Sequence, residues 1–178
     1  QEIYDAWNSD TFFSLIKAFE LPTNNQIKTF SRGMRMKAAL TIALSHDAKL
    51  LILDEATAGM DVSGREHVLE ILEDYLGDDR AILISSHISE DIEQLATQLV
   101  FMRDGRIILK ESKEVLLSHY GIIDQPVEHF NISNEYLIAT RRRNDRQISL
   151  VNNYHKVPDA QPLKTIDDAT KIIMRGEL

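Results

Sequence analysis

Two adjacent carboxylates, Asp54 and Glu55, directly follow the aliphatic run Leu50-Leu51-Ile52-Leu53. Such a run without a polar break is typical of a central parallel strand that is buried on both faces. Acids at the end of such a strand are costly unless they face a cation or a reacting group. The pair therefore predicts a site where Asp54 holds a divalent cation and Glu55 polarises a water molecule. The alternative is a strand followed by a solvated acidic turn.

A second candidate group, Phe30-Ser31-Arg32-Gly33-Met34, stands at a predicted loop-to-helix junction. A helix N-terminus offers unpaired N–H groups and the positive end of the helix dipole, which suit a phosphate. Gly33 allows the backbone to approach such a group closely. Ser31 can either cap the helix or turn its hydroxyl toward a ligand, and in isolation it would be interpreted as an ordinary cap.

Two further polar residues lie at related places. Asp61 precedes a predicted helix and follows Ala56-Thr57-Ala58-Gly59-Met60, whereas His87 follows a second apolar strand, Ala81-Ile82-Leu83-Ile84-Ser85. Each residue alone is consistent with a helix cap. At the carboxyl end of a parallel strand, however, His87 is also placed to contact a phosphate.

Apolar spacing and capping residues predict the elements that position these groups. The order of elements predicts an α/β sheet with an antiparallel margin, in which the two buried strands end beside Asp54 and His87. From residue 124 onward the pattern changes to a small α+β appendage. The predicted helices cover 10–20, capped by Ser9 or Asp10, then 31–45, 62–76, 88–95, 112–119 and 166–174, the last capped by Thr165. The predicted strands cover 50–53, 81–85, 99–102, 106–109 (a hairpin around Asp104-Gly105), 127–132, 136–141 and 147–152.

Composition narrows the functional class. The chain has 178 residues and no cysteine, and the absence of cysteine excludes disulfides and thiolate metal sites. Its formal net charge of −8 disfavours a dedicated nucleic-acid binder. The basic cluster Arg141-Arg142-Arg143 with Arg146 is interpreted as a solvated turn, with contact to an acidic partner as the alternative. No apolar stretch is long enough to span a bilayer, and no signal peptide is visible.

Taken together, in this order and spacing, these residues resemble the nucleotide-binding domain of ABC transporters. Phe30 to Met34 stands where that family has its signature Leu-Ser-Gly-Gly-Gln, and Leu50 to Glu55 matches the Walker B strand with its glutamate. Ala58-Gly59-Met60-Asp61 resembles the D-loop, and His87 the switch histidine. The departures are Arg32 for the first signature glycine, Met34 for the glutamine and Ala56 for a common proline.

The resemblance implies a P-loop NTPase-like parallel sheet with a helical signature subdomain, and an ATPase that uses ATP and Mg²⁺. Its implied partners are a second nucleotide-binding domain and a transmembrane permease, at the cytoplasmic face of a bacterial membrane, without nucleic acid. The implied roles are Mg²⁺ binding by Asp54, catalysis by Glu55 and His87, and nucleotide binding by Ser31, Gly33, Met34 and Asp61.

The N-terminal region narrows the branch within this family. Tyr4-Asp5-Ala6-Trp7-Asn8 followed by an amphipathic helix resembles the helical subdomain of the drug- and antibiotic-exporter branch. The resemblance therefore favours an exporter. Two alternatives remain open: an ABC-type ATPase that works without a transporter, and a non-catalytic interaction or regulatory module.

The phosphate loop Gly-x-x-x-x-Gly-Lys-Ser/Thr does not occur in the sequence. Gly64 has a basic residue beside it, but it lies in a predicted helix and not in such a loop. We therefore expect the chain to be the C-terminal part of such a domain, without roughly its first 90–100 residues, and inactive alone. The expected divisions are 1–48 (helical and signature subdomain), 49–123 (part of the ATPase core) and 124–178 (appendage). A truncated sheet is also expected to self-associate.

Overall fold

The computed structural model describes residues 6–177 and divides the chain into two compact units, Gln1–Leu95 and Ala96–Leu178. The division at residue 95 coincides with neither predicted boundary, at 48 or at 123, and those boundaries stay predictions. Tyr4 and Asp5, which contribute to the exporter-like N-terminal pattern, lie outside the described residues.

In the first unit, helices alternate with parallel strands. Its elements are α1 (Ser9–Ala18), a 3₁₀ turn (Ile27–Thr29), α2 (Arg32–Leu44), β1 (Leu50–Asp54), α3 (Val62–Tyr75), β2 (Ala81–Ser85) and α4 (Ser89–Leu95). Each of the first three helices begins at a side-chain cap that accepts a backbone N–H. The caps are Asn8 for α1, Ser31 for α2 and Asp61 for α3. The predicted cap of α1, Ser9 or Asp10, was therefore wrong by one or two residues.

Strands β1 and β2 pair in parallel and in register, so that Asp54 lies opposite Ser85. Leu51 and Leu53 of β1 are buried in the core beneath α2 and α3, but Ile52 is 71% exposed. The prediction that β1 is buried on both faces was wrong. Within residues 6–95, helices cover one face of this two-stranded sheet, and side chains on the other face remain exposed.

The second unit consists of a hairpin, a four-stranded antiparallel sheet and two helices. Its elements are β3 (Gln98–Arg103), β4 (Arg106–Ser112), α5 (Lys113–His119), β5 (Gly121–Pro126), β6 (Leu137–Arg143), β7 (Arg146–Val151), β8 (Gln161–Pro162) and α6 (Ile166–Arg175). The predicted hairpin turn is confirmed, since Asp104 and Gly105 both have positive φ angles. The sheet order is β6-β7-β5-β8. Among the described helices, none is long and apolar enough to cross a membrane.

The strand predicted over 127–132 was wrong: β5 begins and ends earlier, and Val127–His129 forms a 3₁₀ turn. Gly121 is the first residue of β5, and other parts of the chain approach its backbone closely. A Cβ atom at Gly121 would lie 2.5 Å from both the Gln161 carbonyl oxygen and the Tyr154 Cβ. Gly121 therefore lies inside the sheet, where the absence of a side chain permits this close approach.

Candidate functional site

The carboxyl ends of β1 and β2 meet through Ser85. Its hydroxyl donates a hydrogen bond to Asp54 Oδ1 at 2.5 Å. The backbone N–H of Glu55 donates to the Ser85 carbonyl oxygen at 3.1 Å and to the Ser85 hydroxyl at 3.2 Å. Ser85 thus orients the Asp54 carboxylate and the backbone of Glu55 together. The sequence placed Ser85 at the right strand end but gave no sign of this role, which depends on the register of two strands.

Glu55 and His87 form a polar pair at the same edge of the sheet. Glu55 Oε2 lies 2.5 Å from His87 Nδ1, and their side chains are 37% and 71% exposed. The pair is therefore accessible to solvent. A carboxylate oriented by an imidazole in this way can accept a proton from, or polarise, a bound water molecule. The structure brings together Asp54, Glu55 and His87, three of the residues singled out from the sequence.

Asp61 lies at the start of α3, where its Oδ1 accepts the Gly64 N–H at 2.9 Å. A Cβ at position 64 would lie 2.7 Å from that oxygen, so Gly64 serves the cap. This glycine lies within a helix, as the sequence predicted. Asp61 is exposed, and its predicted role as a nucleotide-binding residue stays a prediction.

Ser31 caps α2 by accepting the Met34 N–H at 3.2 Å. Gly33 lies beside the segment 56–61, because a Cβ at Gly33 would be 3.6 Å from the Gly59 carbonyl oxygen. Arg32 packs on the same segment: a Cβ at Gly59, whose φ is +80°, would lie 2.7 Å from Arg32 Cδ. The structure therefore places the start of α2 against segment 56–61. Nucleotide binding by Ser31, Gly33 and Met34 is not tested by this contact and stays a prediction.

A buried polar cluster joins the segments that follow β1 and β2, and it was not predicted from the sequence. Asp91 of α4 is fully buried and contacts Thr57, Ser86 and Arg65. Its position was a usable signal, because an acid stands among the apolar residues of α4 at helical spacing. Those apolar residues are Ile92 and Leu95, and Ile88 directly precedes the helix. An acid on the apolar face of a helix usually has a buried partner.

The donor set is compatible with Mg²⁺ but incomplete. Among residues 6–177, no group of three or more His, Cys, Asp or Glu side chains could hold a metal ion. Asp54 supplies one carboxylate. Mg²⁺ commonly binds through one or two carboxylates, substrate phosphates and water, so a single acid beside a phosphate site fits this ion.

A sequence model of the ABC transporter family matches residues 5–58, which include the start of α2, β1, Asp54 and Glu55. This region of the chain therefore belongs to the ABC transporter ATP-binding family. The lantibiotic transport ATP-binding protein SrtF of Streptococcus pyogenes is 41% identical over 116 residues, which are 65% of this chain and 47% of that protein. The chain thus spans about half the length of this curated relative.

Solved structures of ABC ATPases share the fold. One, described as a cobalt transport ATP-binding protein, matches 82% of this chain and 53% of its own, with a TM-score of 0.58 and 19% identity. A dimeric bacterial ABC transporter cassette matches 58% of this chain and 46% of its own, with a TM-score of 0.52 and 18% identity. At these identities the likeness shows the fold alone, and it confirms the predicted α/β class.

The sequence-predicted residues fall into two groups. Asp54 and Glu55 lie at the end of β1, where Ser85 contacts both residues and Glu55 contacts His87 directly. The start of α2 lies beside segment 56–61, where Gly33 is close to Gly59. Each group is assembled by contacts within the first unit.

Proposed function

We propose that this chain belongs to the ATP-hydrolysing subunit of a transporter that exports its substrate through a transmembrane permease. The observation that supports the proposal most directly is the arrangement at the ends of β1 and β2. There, two carboxylates and an imidazole share one solvent-accessible edge, fixed by Ser85. The similarity to a lantibiotic transport ATP-binding protein supports a role in transport.

In this proposal, hydrolysis depends on positioning and electrostatics. Mg²⁺ neutralises charge on the ATP phosphates, and Asp54 is the residue of this chain that holds it. Glu55 polarises the attacking water, and His87 orients Glu55 and contacts the terminal phosphate. Aligning the water with the phosphate supplies much of the rate enhancement.

A second nucleotide-binding domain completes the proposed site. Ser31, Gly33 and Met34 at the start of α2 bind ATP held by the partner, and Asp61 links the two sites across the interface. The exposure of Ser31 and Asp61 is compatible with such a contact. Closure and opening of this dimer move the permease. Because this sequence contains no phosphate loop, residues 1–178 alone bind ATP weakly and do not hydrolyse it.

The test is ATP hydrolysis by the full-length gene product and by residues 1–178, measured side by side. Glu55→Gln in the full-length protein is expected to lower kcat by about 100-fold or more while ATP binding persists, because a general-base carboxylate is lost. Glu20→Gln is the matched control, since Glu20 is also an exposed glutamate with a positive φ. Normal turnover of the Glu55→Gln variant would contradict the role of Glu55, and robust hydrolysis by residues 1–178 would contradict the need for a phosphate loop.

A further inference from the structure

Asp91 is a buried acid to which the mechanism above gives no role. Its side chain is 0% exposed. Asp91 Oδ2 accepts a hydrogen bond from the Thr57 hydroxyl at 2.5 Å and another from the Ser86 hydroxyl at 3.2 Å. Arg65 Nε lies 3.4 Å from Asp91 Oδ1. Asp91 is therefore a buried carboxylate with specific polar partners, as buried polar groups in native structures usually are.

The partners of Asp91 come from three different parts of the chain. Thr57 belongs to segment 56–61, two residues after Glu55 and four before Asp61. Ser86 precedes His87 and also accepts the Ile88 N–H at 3.0 Å. Arg65 lies in the first half of α3. One carboxylate therefore joins the segment that follows β1 to the segment that follows β2, through residues close in sequence to Glu55 and His87.

The two hydroxyl groups provide the directed contacts. Arg65 Nε and Asp91 Oδ1 are close enough for an ion pair, but neither atom has a partner with hydrogen-bond geometry. Arg65 thus offsets the buried charge without fixing the orientation of Asp91. The geometry is fixed by Thr57 and Ser86, which makes Thr57 the residue that best reports on the network.

Stability alone does not explain an acid at this position. Replacing a buried ion pair by apolar side chains of similar volume is often neutral or stabilising. A connected polar network instead selects one arrangement of the segments that it joins, because other arrangements leave a buried group unpaired. This effect concerns the geometry of the site more than the stability of the unit.

We propose that Asp91 is a positioning residue that holds segment 56–61 against Ser86 and His87, and so fixes the relative placement of Glu55, His87 and Asp61. The consequence for hydrolysis rests on the proposed function, whereas the positional role does not. Asp91 touches no reacting group and acts through Thr57 and Ser86.

Backbone hydrogen exchange of residues 1–178, followed residue by residue by NMR, tests this role. Three amides report on the two joined segments: Ala58 donates to the Glu55 carbonyl, Met60 to the Thr57 carbonyl and Ile88 to the Ser86 hydroxyl. In Asp91→Asn and in Thr57→Val, these amides are expected to exchange about tenfold faster or more, because a buried charged hydrogen bond is lost. Amides in the β1–β2 ladder are expected to change less than about twofold.

Two control variants separate positioning from general stability. Glu90→Gln removes an exposed charge from the same helix, and Thr57→Ser keeps the hydroxyl. In both variants the amides of Ala58, Met60 and Ile88 are expected to exchange at the wild-type rate. Equal acceleration in the β1–β2 ladder would assign Asp91 to stability alone, and unchanged rates at Ala58, Met60 and Ile88 would also overturn the proposal. If Asp91→Asn does not fold, the Thr57→Val and Thr57→Ser pair decides the question.

The same variants distinguish this inference from the proposed function. If the full-length protein hydrolyses ATP, Asp91→Asn is expected to lower kcat with little change in KM, because positioning of the reacting groups is lost while nucleotide contacts remain. If the full-length protein does not hydrolyse ATP, the proposed function fails. The exchange pattern in residues 1–178 still supports or overturns the positional role.

Discussion

At the scale of the residue, the backbone at Glu55 is the least ordinary feature of the site. Glu55 has a φ of 52°, in the left-handed region, where a residue with a Cβ is disfavoured by about 1–2 kcal/mol. Gly59, four residues later, has a similar φ of 80° but carries no side chain. Such strain persists where the surrounding structure imposes it, and it is concentrated at functional sites. Hydrogen bonds from the Glu55 N–H to Ser85 are part of that surrounding structure.

Replacing Glu55 by glycine and by alanine separates the backbone from the side chain. Both variants lose the contact with His87, but only glycine removes the steric cost of the left-handed conformation. Glu55→Gly is expected to be more stable than Glu55→Ala by about 1 kcal/mol in the free energy of unfolding, measured with urea.

The helical position Glu73 provides the opposite control. It is exposed within α3, so Glu73→Ala is expected to be more stable than Glu73→Gly by about 1 kcal/mol. If Glu55→Ala were more stable than Glu55→Gly, as is expected for the same pair of variants at position 73, the left-handed backbone at Glu55 would be contradicted.

At the scale of the element, local chemistry predicted more than long-range packing did. Ser31 and Thr165 cap helices as the sequence indicated, because a cap and the N–H that it accepts lie three residues apart. The burial of β1 was predicted wrongly, because an aliphatic run does not reveal what covers each face of a sheet. The Thr57–Asp91 contact was missed because its partners are 34 residues apart.

Gly121 tests this dependence on distant contacts. Gly121→Ala places a methyl group 2.5 Å from the Gln161 backbone oxygen, which cannot move without disturbing β8. We expect the variant to lower the free energy of unfolding of the second unit by about 2 kcal/mol, within the usual range for overpacking. Denaturation followed by the NMR signals of residues in the second unit provides the measurement.

The matched control is Gly77→Ala. A Cβ at Gly77 has no heavy atom within 4 Å, so this change is expected to be nearly neutral. If Gly121→Ala were as stable as Gly77→Ala, the close approach of Gly121 to Gln161 and Tyr154 would be contradicted.

At the scale of the whole molecule, the uncovered face of the β1–β2 sheet has the largest consequence. Ile52 and Leu83 are cross-strand neighbours, 71% and 59% exposed, and Leu50 on the same face is 54% exposed. Contiguous exposed aliphatic side chains on a sheet favour association. Among the described residues, β1 and β2 pair only with each other, so their outer backbone edges are also open to pairing.

We therefore expect residues 1–178 to self-associate, with a weight-average mass that rises with concentration in sedimentation equilibrium. The double variant Ile52→Thr, Leu83→Thr is expected to shift this association to higher concentration, because it removes the exposed apolar pair. Threonine is β-branched and suits a strand, so the sheet itself is expected to be retained. Ile107→Thr is the control, since Ile107 is 62% exposed on β4 in the second unit. A wild-type chain that stays monomeric at the highest concentration reached would contradict the expectation. Equal weakening by Ile107→Thr would place the contact elsewhere than on the β1–β2 face.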